Sequence, residues 1–302
     1  MPYIEKLSAL CNDYGCEIKT DEPLYPHTTF RIGGKCRALV AINSTEALMK
    51  ISDYLISENI RYFVLGRGSN VIVSDEGFDG VILLLSKSFS EIRLVNDTDI
   101  YCTAGASLRD VCLVALENSL EGMEFAFGIP GTCGGALFMN AGAYGGEIKD
   151  IIASAHYLEN GEIHEIKAED MDLSYRHSVF AENTDRIITD MVFRLKKGDK
   201  SEIKAKMDDF MERRRSKQPL EYPSAGSTFK RPEGSFASLL IDQCGLKGMS
   251  VGDAQVSEKH SGFVINTGNA TCRDVLELCD KVRDIVLEKT GYTLELEPLV
   301  LK

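Results

Sequence analysis

Gly122-Met-Glu-Phe-Ala-Phe-Gly-Ile-Pro-Gly-Thr-Cys-Gly-Gly-Ala-Leu-Phe-Met-Asn-Ala-Gly-Ala-Tyr-Gly-Gly146 packs eight of the chain's 26 glycines into 25 residues. No Lys or Arg occurs between Arg109 and Lys149. Glycine has no Cβ and tolerates positive φ, so such a run lets the backbone approach a ligand closely. Successive N–H groups in it can form an anion-binding concavity without a charged side chain. Tight turns around Phe125, Phe127, Ile129, Leu137 and Phe138 would account for the same composition, so the rest of the chain decides the reading.

Upstream, residues 2–18 read as a short helix ending near Gly15. Strand 38–42, a helix opened by Ser44 with Leu48, Ile51 and Leu55 on one face, and strand 61–65 read as a βαβ unit. Gly66-Arg-Gly-Ser-Asn70 comes next and resembles the start of a G-x-G-x-x-G fingerprint. Position 71 is Val, however, and Val71-Ile-Val73 reads as a strand where a dinucleotide fold needs a helix. No G-x-x-x-x-G-K-[ST] run occurs, so Rossmann and P-loop folds are both excluded.

The middle of the chain predicts strands at 81–85, 91–95, 100–104, 151–158, 162–167 and 187–195, with a helix behind Ser107. A helix opened by Ser201 carries Ile203, Met207, Phe210 and Met211 on one face and stops before Pro219, which marks a boundary. A smaller α/β region follows, with a helix near 235–244 closed by Gly245, a strand at 263–266, a long helix from Thr271 and a strand over 292–297. The fold class is therefore α+β.

A length of 302 residues suggests two or three domains. Lys and Arg number 34 against 46 Asp and Glu, a net charge of −12, which speaks against nucleic acid or an anionic membrane as partner. No apolar run reaches the roughly 18 residues of a membrane span. The first residues lack a charged-then-apolar signal pattern. Nine cysteines, scattered and without C-x-x-C or neighbouring His, point to reduced thiols, a cytoplasmic setting and no metal site.

Three polar clusters are candidates for chemistry. In Ser174-Tyr-Arg-His-Ser178, Arg176 can clamp a carboxylate or phosphate, or be an ordinary surface Arg. In Lys217 to Pro232, Pro219, Pro223 and Gly226 set Ser227 on a stiff turn, with Lys217, Lys230 and Arg231 as a basic surround. Ser227 has no local His, so a nucleophilic triad is unsupported, but a proton donor needs none. Glu295 and Glu297 share one face at strand period.

Taken together these segments resemble the UDP-N-acetylenolpyruvoylglucosamine reductases (MurB), in their shorter subtype. The marks are Thr28-Thr-Phe-Arg-Ile-Gly-Gly34, Leu65–Asn70, Gly128-Ile-Pro-Gly131, Asn140-Ala-Gly-Ala-Tyr-Gly145, Ser174-Tyr-Arg176, Ala225–Lys230, Ile241–Gly248 and Val256–Phe263, in order over nearly the whole chain. The resemblance implies a two-lobed FAD-binding domain of the vanillyl-alcohol-oxidase (PCMH) kind, over 1–75 and 76–200, plus a smaller α/β substrate-binding domain over 201–302. The last strand is expected to return to the first lobe.

Non-covalent FAD would be held by Gly66, Arg67, Gly68, Ser69, Asn70, Gly128, Ile129, Pro130, Gly131, Gly134, Gly135, Ala141, Gly142 and Tyr144, on the pattern of the family. NADPH would reduce it, and hydride would pass to UDP-N-acetylglucosamine enolpyruvate, giving the muramate of peptidoglycan precursor synthesis. Carried over by motif, Ser227 is the proton donor, Arg176 and Glu297 stabilise the intermediate, and Tyr175 and Lys217 hold the substrate, with Lys230 and Arg231 of the basic surround expected to join them. Three features depart from the family pattern: Pro298 follows Glu297 where Val is usual, His27 replaces a small polar residue, and the chain stops at Lys302, which trims the last strand. A flavin oxidase of the same superfamily and a non-catalytic UDP-sugar-binding protein are the alternatives.

Overall fold

The computed structural model describes residues 2–85 and 87–302, which divide into two compact units. The first comprises residues up to Thr20, Ala38–Arg67 and Gly80–Arg213. Its helices are α1 (Pro2–Asp13), α2 (Thr45–Ser57), α3 (Leu108–Glu117), α4 (Cys133–Phe138), α5 (Val179–Glu182) and α6 (Lys200–Lys217), the last leaving the unit at Arg213. The caps are local and legible. Ser44 accepts from Ala47 N at 3.2 Å, Ser107 from Asp110 N at 3.1 Å and Thr132 from Gly135 N at 3.4 Å, each satisfying a helix-end donor.

A four-stranded sheet runs in the order Glu17–Thr20, Cys36–Ala41, Phe78–Leu84, Tyr62–Leu65. Two expectations are corrected here. The helix read over 2–18 ends at Asp13, because the chain turns at Gly15 (φ 65), and Glu17–Thr20 is a strand. The βαβ strands around α2 are not neighbours; Phe78–Leu84 lies between them, parallel to Tyr62–Leu65.

The second sheet is antiparallel, in the order Glu162–Lys167, Ile152–Glu159, Ile187–Arg194, Asp99–Thr103, Ile92–Leu94. Along Ile152–Glu159 the fully buried residues are Ile152, Ala155 and Leu158, three apart rather than two. One register shift adds Ala153 to this strand and accounts for the first of these spacings, since a bulge moves the following side chains to the other face; the second shift adds Thr189 to the partner strand instead. Leu48, Ile51 and Leu55 of α2 and Leu108, Val111 and Ala115 of α3 share one core with these sheets.

The second unit comprises Asp21–Arg37, Gly68–Asp79 and Arg214–Lys302. It contains α7 (Ala237–Gln243), α8 (Cys272–Thr290), an antiparallel sheet of Ser250–Val251, Ala254–Val256 and Val264–Asn266, and a parallel pair, Val71–Val73 with Leu299–Leu301. Val275, Leu278, Val282 and Val286 on one face of α8 form its core with Leu240, Ile241, Phe30 and Ile72. The strand expected over 292–297 is not a ladder strand: it has one isolated bridge, Phe229 to Leu296, and the ladder begins at Leu299. Pro298 has no N–H to donate, which places the start of the ladder just beyond it.

Candidate functional site

In the first unit the glycine-rich stretch is more structured than a set of turns. It contains a 3-10 turn (Glu124–Ala126), α4, and a hairpin of Gly142–Ala143 with Gly146–Glu147. Tyr144 (φ 54) and Gly145 (φ 89) form the tip, the paired left-handed conformation that matches strand twist in a two-residue hairpin. The Tyr144 ring stacks on Phe210 of α6, 4.7 Å between centroids and 5° apart.

Several glycines stand where a side chain would not fit. A Cβ on Gly66 would collide with Thr132 Oγ1, the cap of α4, and one on Gly134 would lie 2.7 Å from Ala104 Cβ. The Gly66 backbone thus packs directly against the Thr132 side chain that caps α4. This is the close approach a pyrophosphate cradle requires, and it fits an FAD-binding residue set. The amides of Cys133 and Gly134 bond to Ala106 O (2.8 Å) and Ala104 O (2.9 Å), and that of Gly135 to Thr132 Oγ1, so these three fix the loop itself.

The Ser174–Arg176 motif is a two-residue turn closed by reciprocal backbone bonds, Ser174 N to His177 O at 3.3 Å and His177 N to Ser174 O at 3.2 Å. Tyr175, exposed, and Arg176, half-buried at φ 55, form its tip. Arg176 Nη2 donates to Gly142 O at 3.4 Å, and its guanidinium lies 5.0 Å from the Tyr175 ring centre. His177 Nε2 meets Asp172 (3.1 Å) and Glu182 (3.7 Å), a trio whose carboxylates are both solvent-facing.

In the second unit the structure registers Thr228, the neighbour of Ser227, against Glu297. Thr228 donates its N–H to Gly262 O (2.9 Å), accepts at Oγ1 from Val264 N (2.8 Å) and accepts at its carbonyl from Glu297 N (3.0 Å). The neighbouring Ser227 and Glu297 are both half-buried. Asn70 Nδ2 donates to Glu297 O at 3.3 Å, and Asn70 O accepts from Leu299 N at 2.9 Å, so Asn70 straddles Pro298 and supports the segment where the proline cannot. Glu295 points elsewhere: it is solvent-exposed and paired with Lys230 at 3.5 Å. Arg231 lies 4.8 Å from the Phe236 ring centre, and Lys217 ends α6 in solvent.

His27, the departure from pattern, has a structural place. Its Nε2 bonds Glu22 at 2.9 Å, and its carbonyl abuts Gly68, which adopts φ 62 there. A cleft of about 420 Å³ was not found from sequence; it is lined by Phe236, Ser238, Leu239, Asp242, Lys247, Lys259, His260 and Ser261. No spacing signal joins these residues, because α7 and the loop before Phe263 meet only in the fold. Burial lowers the His260 pKa, with a smaller contribution from Lys247.

The family model of the C-terminal domain of UDP-N-acetylenolpyruvoylglucosamine reductase matches residues 218–301, and that of an FAD binding domain matches 36–167. The UDP-N-acetylenolpyruvoylglucosamine reductase of Caldanaerobacter subterraneus subsp. tengcongensis is 48% identical over 91% of this chain and 90% of its own. The crystal structure of UDP-N-acetylenolpyruvylglucosamine reductase from Thermus caldophilus superposes with a TM-score of 0.81 at 34% identity, covering 95% of this chain and 99% of that one. An alkyldihydroxyacetonephosphate synthase, 16% identical, gives 0.50 over 65% of this chain and 40% of its own, a likeness of fold alone.

Proposed function

Because the chain belongs to the UDP-N-acetylenolpyruvoylglucosamine reductase family and carries an FAD-binding domain, we propose that it uses NADPH to reduce UDP-N-acetylglucosamine enolpyruvate to UDP-N-acetylmuramate, a step in peptidoglycan precursor synthesis in the cytoplasm. We assign FAD binding to 1–75 and 76–200 and substrate binding to 201–302. The single observation that supports this chemistry is the Glu297 N–H to Thr228 O bond of 3.0 Å, which lays the segment of half-buried Ser227 beside that of half-buried Glu297.

Gly66–Asn70, Gly128–Gly131, Gly134, Gly135, Ala141, Gly142 and Tyr144 would hold FAD, which when bound would supply the redox chemistry that brings hydride from NADPH to C3 of the enolpyruvyl ether. Negative charge then develops over C2 and the carboxylate. Arg176, held by its turn, meets that charge, and a preorganised donor of this kind is worth about 10²–10³ in rate. Ser227 gives its hydroxyl proton to C2; so weak an acid suffices because the carbanion is strongly basic. Glu297 completes the polar surround, while Tyr175, Lys217, Lys230 and Arg231 hold the substrate. The cleft beside Phe236 offers an aromatic ring together with Lys247 and Lys259, which pair with Asp242 and Glu221, as candidate contacts for a nucleoside diphosphate.

The test mixes purified protein with NADPH and UDP-N-acetylglucosamine enolpyruvate and follows absorbance at about 340 nm, the reduced-nicotinamide band through which cofactor redox chemistry is read. Substrate-dependent decay is expected, and its absence refutes the reading. Ser227→Ala should still have its flavin reduced by NADPH but fail to turn over; unaltered turnover would remove Ser227 as the donor.

A further inference from the structure

Asn140 lies in the glycine-rich stretch and has no role in the reaction as assigned, yet it is 0% exposed. It is the first residue beyond the Met139 cap of α4 and adopts φ 43, a left-handed position that Asn tolerates and Gly favours. Its side chain is fully used. Nδ2 donates to Glu147 Oε2 and to Ser174 O, both at 2.8 Å, and Oδ1 accepts from Lys149 N at 2.9 Å. The orientation follows from the partners: two donors face two acceptors, and the reversed amide would set its oxygen against both.

Ser174 O also receives His177 N, the bond that closes the Tyr175–Arg176 turn. On the hairpin side, Arg176 Nη2 reaches Gly142 O, two residues beyond Asn140. A buried, satisfied amide therefore joins the glycine-rich hairpin to the turn that presents Arg176. Such networks rigidify what they connect, because an unpaired buried polar group is costly.

We propose that Asn140 is the positioning residue for Arg176: it fixes the Tyr175–Arg176 turn against the glycine-rich hairpin, so the guanidinium is preorganised toward the charge on the enolpyruvyl carboxylate. This rests on the reading of Arg176 given under the proposed function. Asn140→Gly is the informative variant, since Gly keeps the left-handed backbone while all three side-chain bonds disappear; Asn140→Ala serves as a second variant.

In stopped-flow experiments on FAD-loaded protein, flavin reduction by NADPH should be unchanged. Reoxidation of the reduced flavin by UDP-N-acetylglucosamine enolpyruvate should slow by about 10²-fold, the usual cost of a misplaced catalytic group. Combined with Arg176→Ala, Asn140→Gly should add no further loss. Unaltered reoxidation, equal loss in both half-reactions, or multiplying losses in the double variant would each overturn the proposal.

Amide exchange of the peptide spanning Ser174 to Ser178 is read on the same samples and should accelerate in Asn140→Gly; unchanged exchange overturns the proposal whatever the activity. If the reduced wild-type protein is not reoxidised by the substrate, the functional reading fails, and the exchange result judges Asn140 alone.

Discussion

At the scale of single residues, steric exclusion is the sharpest handle on the flavin assignment. A Cβ on Gly66 would run into Thr132 Oγ1, the atom that caps α4. Gly66→Ala is expected to displace that cap and lower flavin occupancy, read as the visible-to-ultraviolet absorbance ratio of the purified protein. Thr132→Ala should lose about 1 kcal/mol of cap energy, and Gly66→Ala added to it should cost little more; a large added loss would mean that Thr132 is not the obstacle. Gly66, Ser227 and Arg176 can be proposed from sequence because their motifs are local. Asn140 was quoted within a motif but given no role, since its partners Glu147 and Ser174 are 7 and 34 positions away. The choice between Glu295 and Glu297 was likewise closed to pattern reading: period two puts both on one face, and only the packing leaves one exposed and one half-buried.

At the scale of elements, sequence reading found those with amphipathic period or a hydroxyl cap, and missed those held from a distance. Helix α8 illustrates both. Thr271 and Asp274 form a reciprocal capping box, and Gly291 (φ 76) ends the helix, all visible in sequence. The same N-terminus is also held by Asp75, whose carboxylate accepts from Cys272 N at 2.7 Å and Arg273 N at 3.0 Å across 197 and 198 positions. Charge-assisted bonds at a helix N-terminus exceed neutral ones. Thr271→Ala should therefore destabilise by about 1 kcal/mol and Asp75→Ala by roughly 2–3 kcal/mol, compared by urea denaturation. Equal effects would mean that Asp75 adds nothing to the local cap. The missed strand Glu17–Thr20 and the misplaced last strand have the same origin, in partners that the local pattern does not name.

For the whole molecule, the element pattern gave the α+β class and the resemblance the two-lobed FAD-binding plan, whereas the discontinuous make-up of the two compact units came from structure. Segments Asp21–Arg37 and Gly68–Asp79 join the unit of Arg214–Lys302, because Val71–Val73 pairs with Leu299–Leu301 and Asp75 caps α8. No helix among the described residues is long and apolar enough to cross a membrane. Each unit has its own apolar core, and the cysteines follow the cores: Cys11, Cys16, Cys102, Cys112 and Cys133 in one, Cys244, Cys272 and Cys279 in the other. All nine cysteines are free and buried. Burial raises the thiol pKa of Cys11 and Cys279 to about 12 and of Cys36 and Cys272 to about 11, and it raises Cys102 and Cys112 well above their ordinary value. Since the thiolate is the reactive form, burial and a raised pKa slow attack together. Native protein mixed with an aromatic disulfide reagent near neutral pH should therefore release almost no thiolate, and unfolding in guanidinium should release all nine. At intermediate denaturant the cysteines of the less stable core should react first as a set, because exchange of buried groups reports the opening of the cooperative unit that contains them. Rapid labelling of members of both cores in the native protein would refute this account of closed, reduced cores.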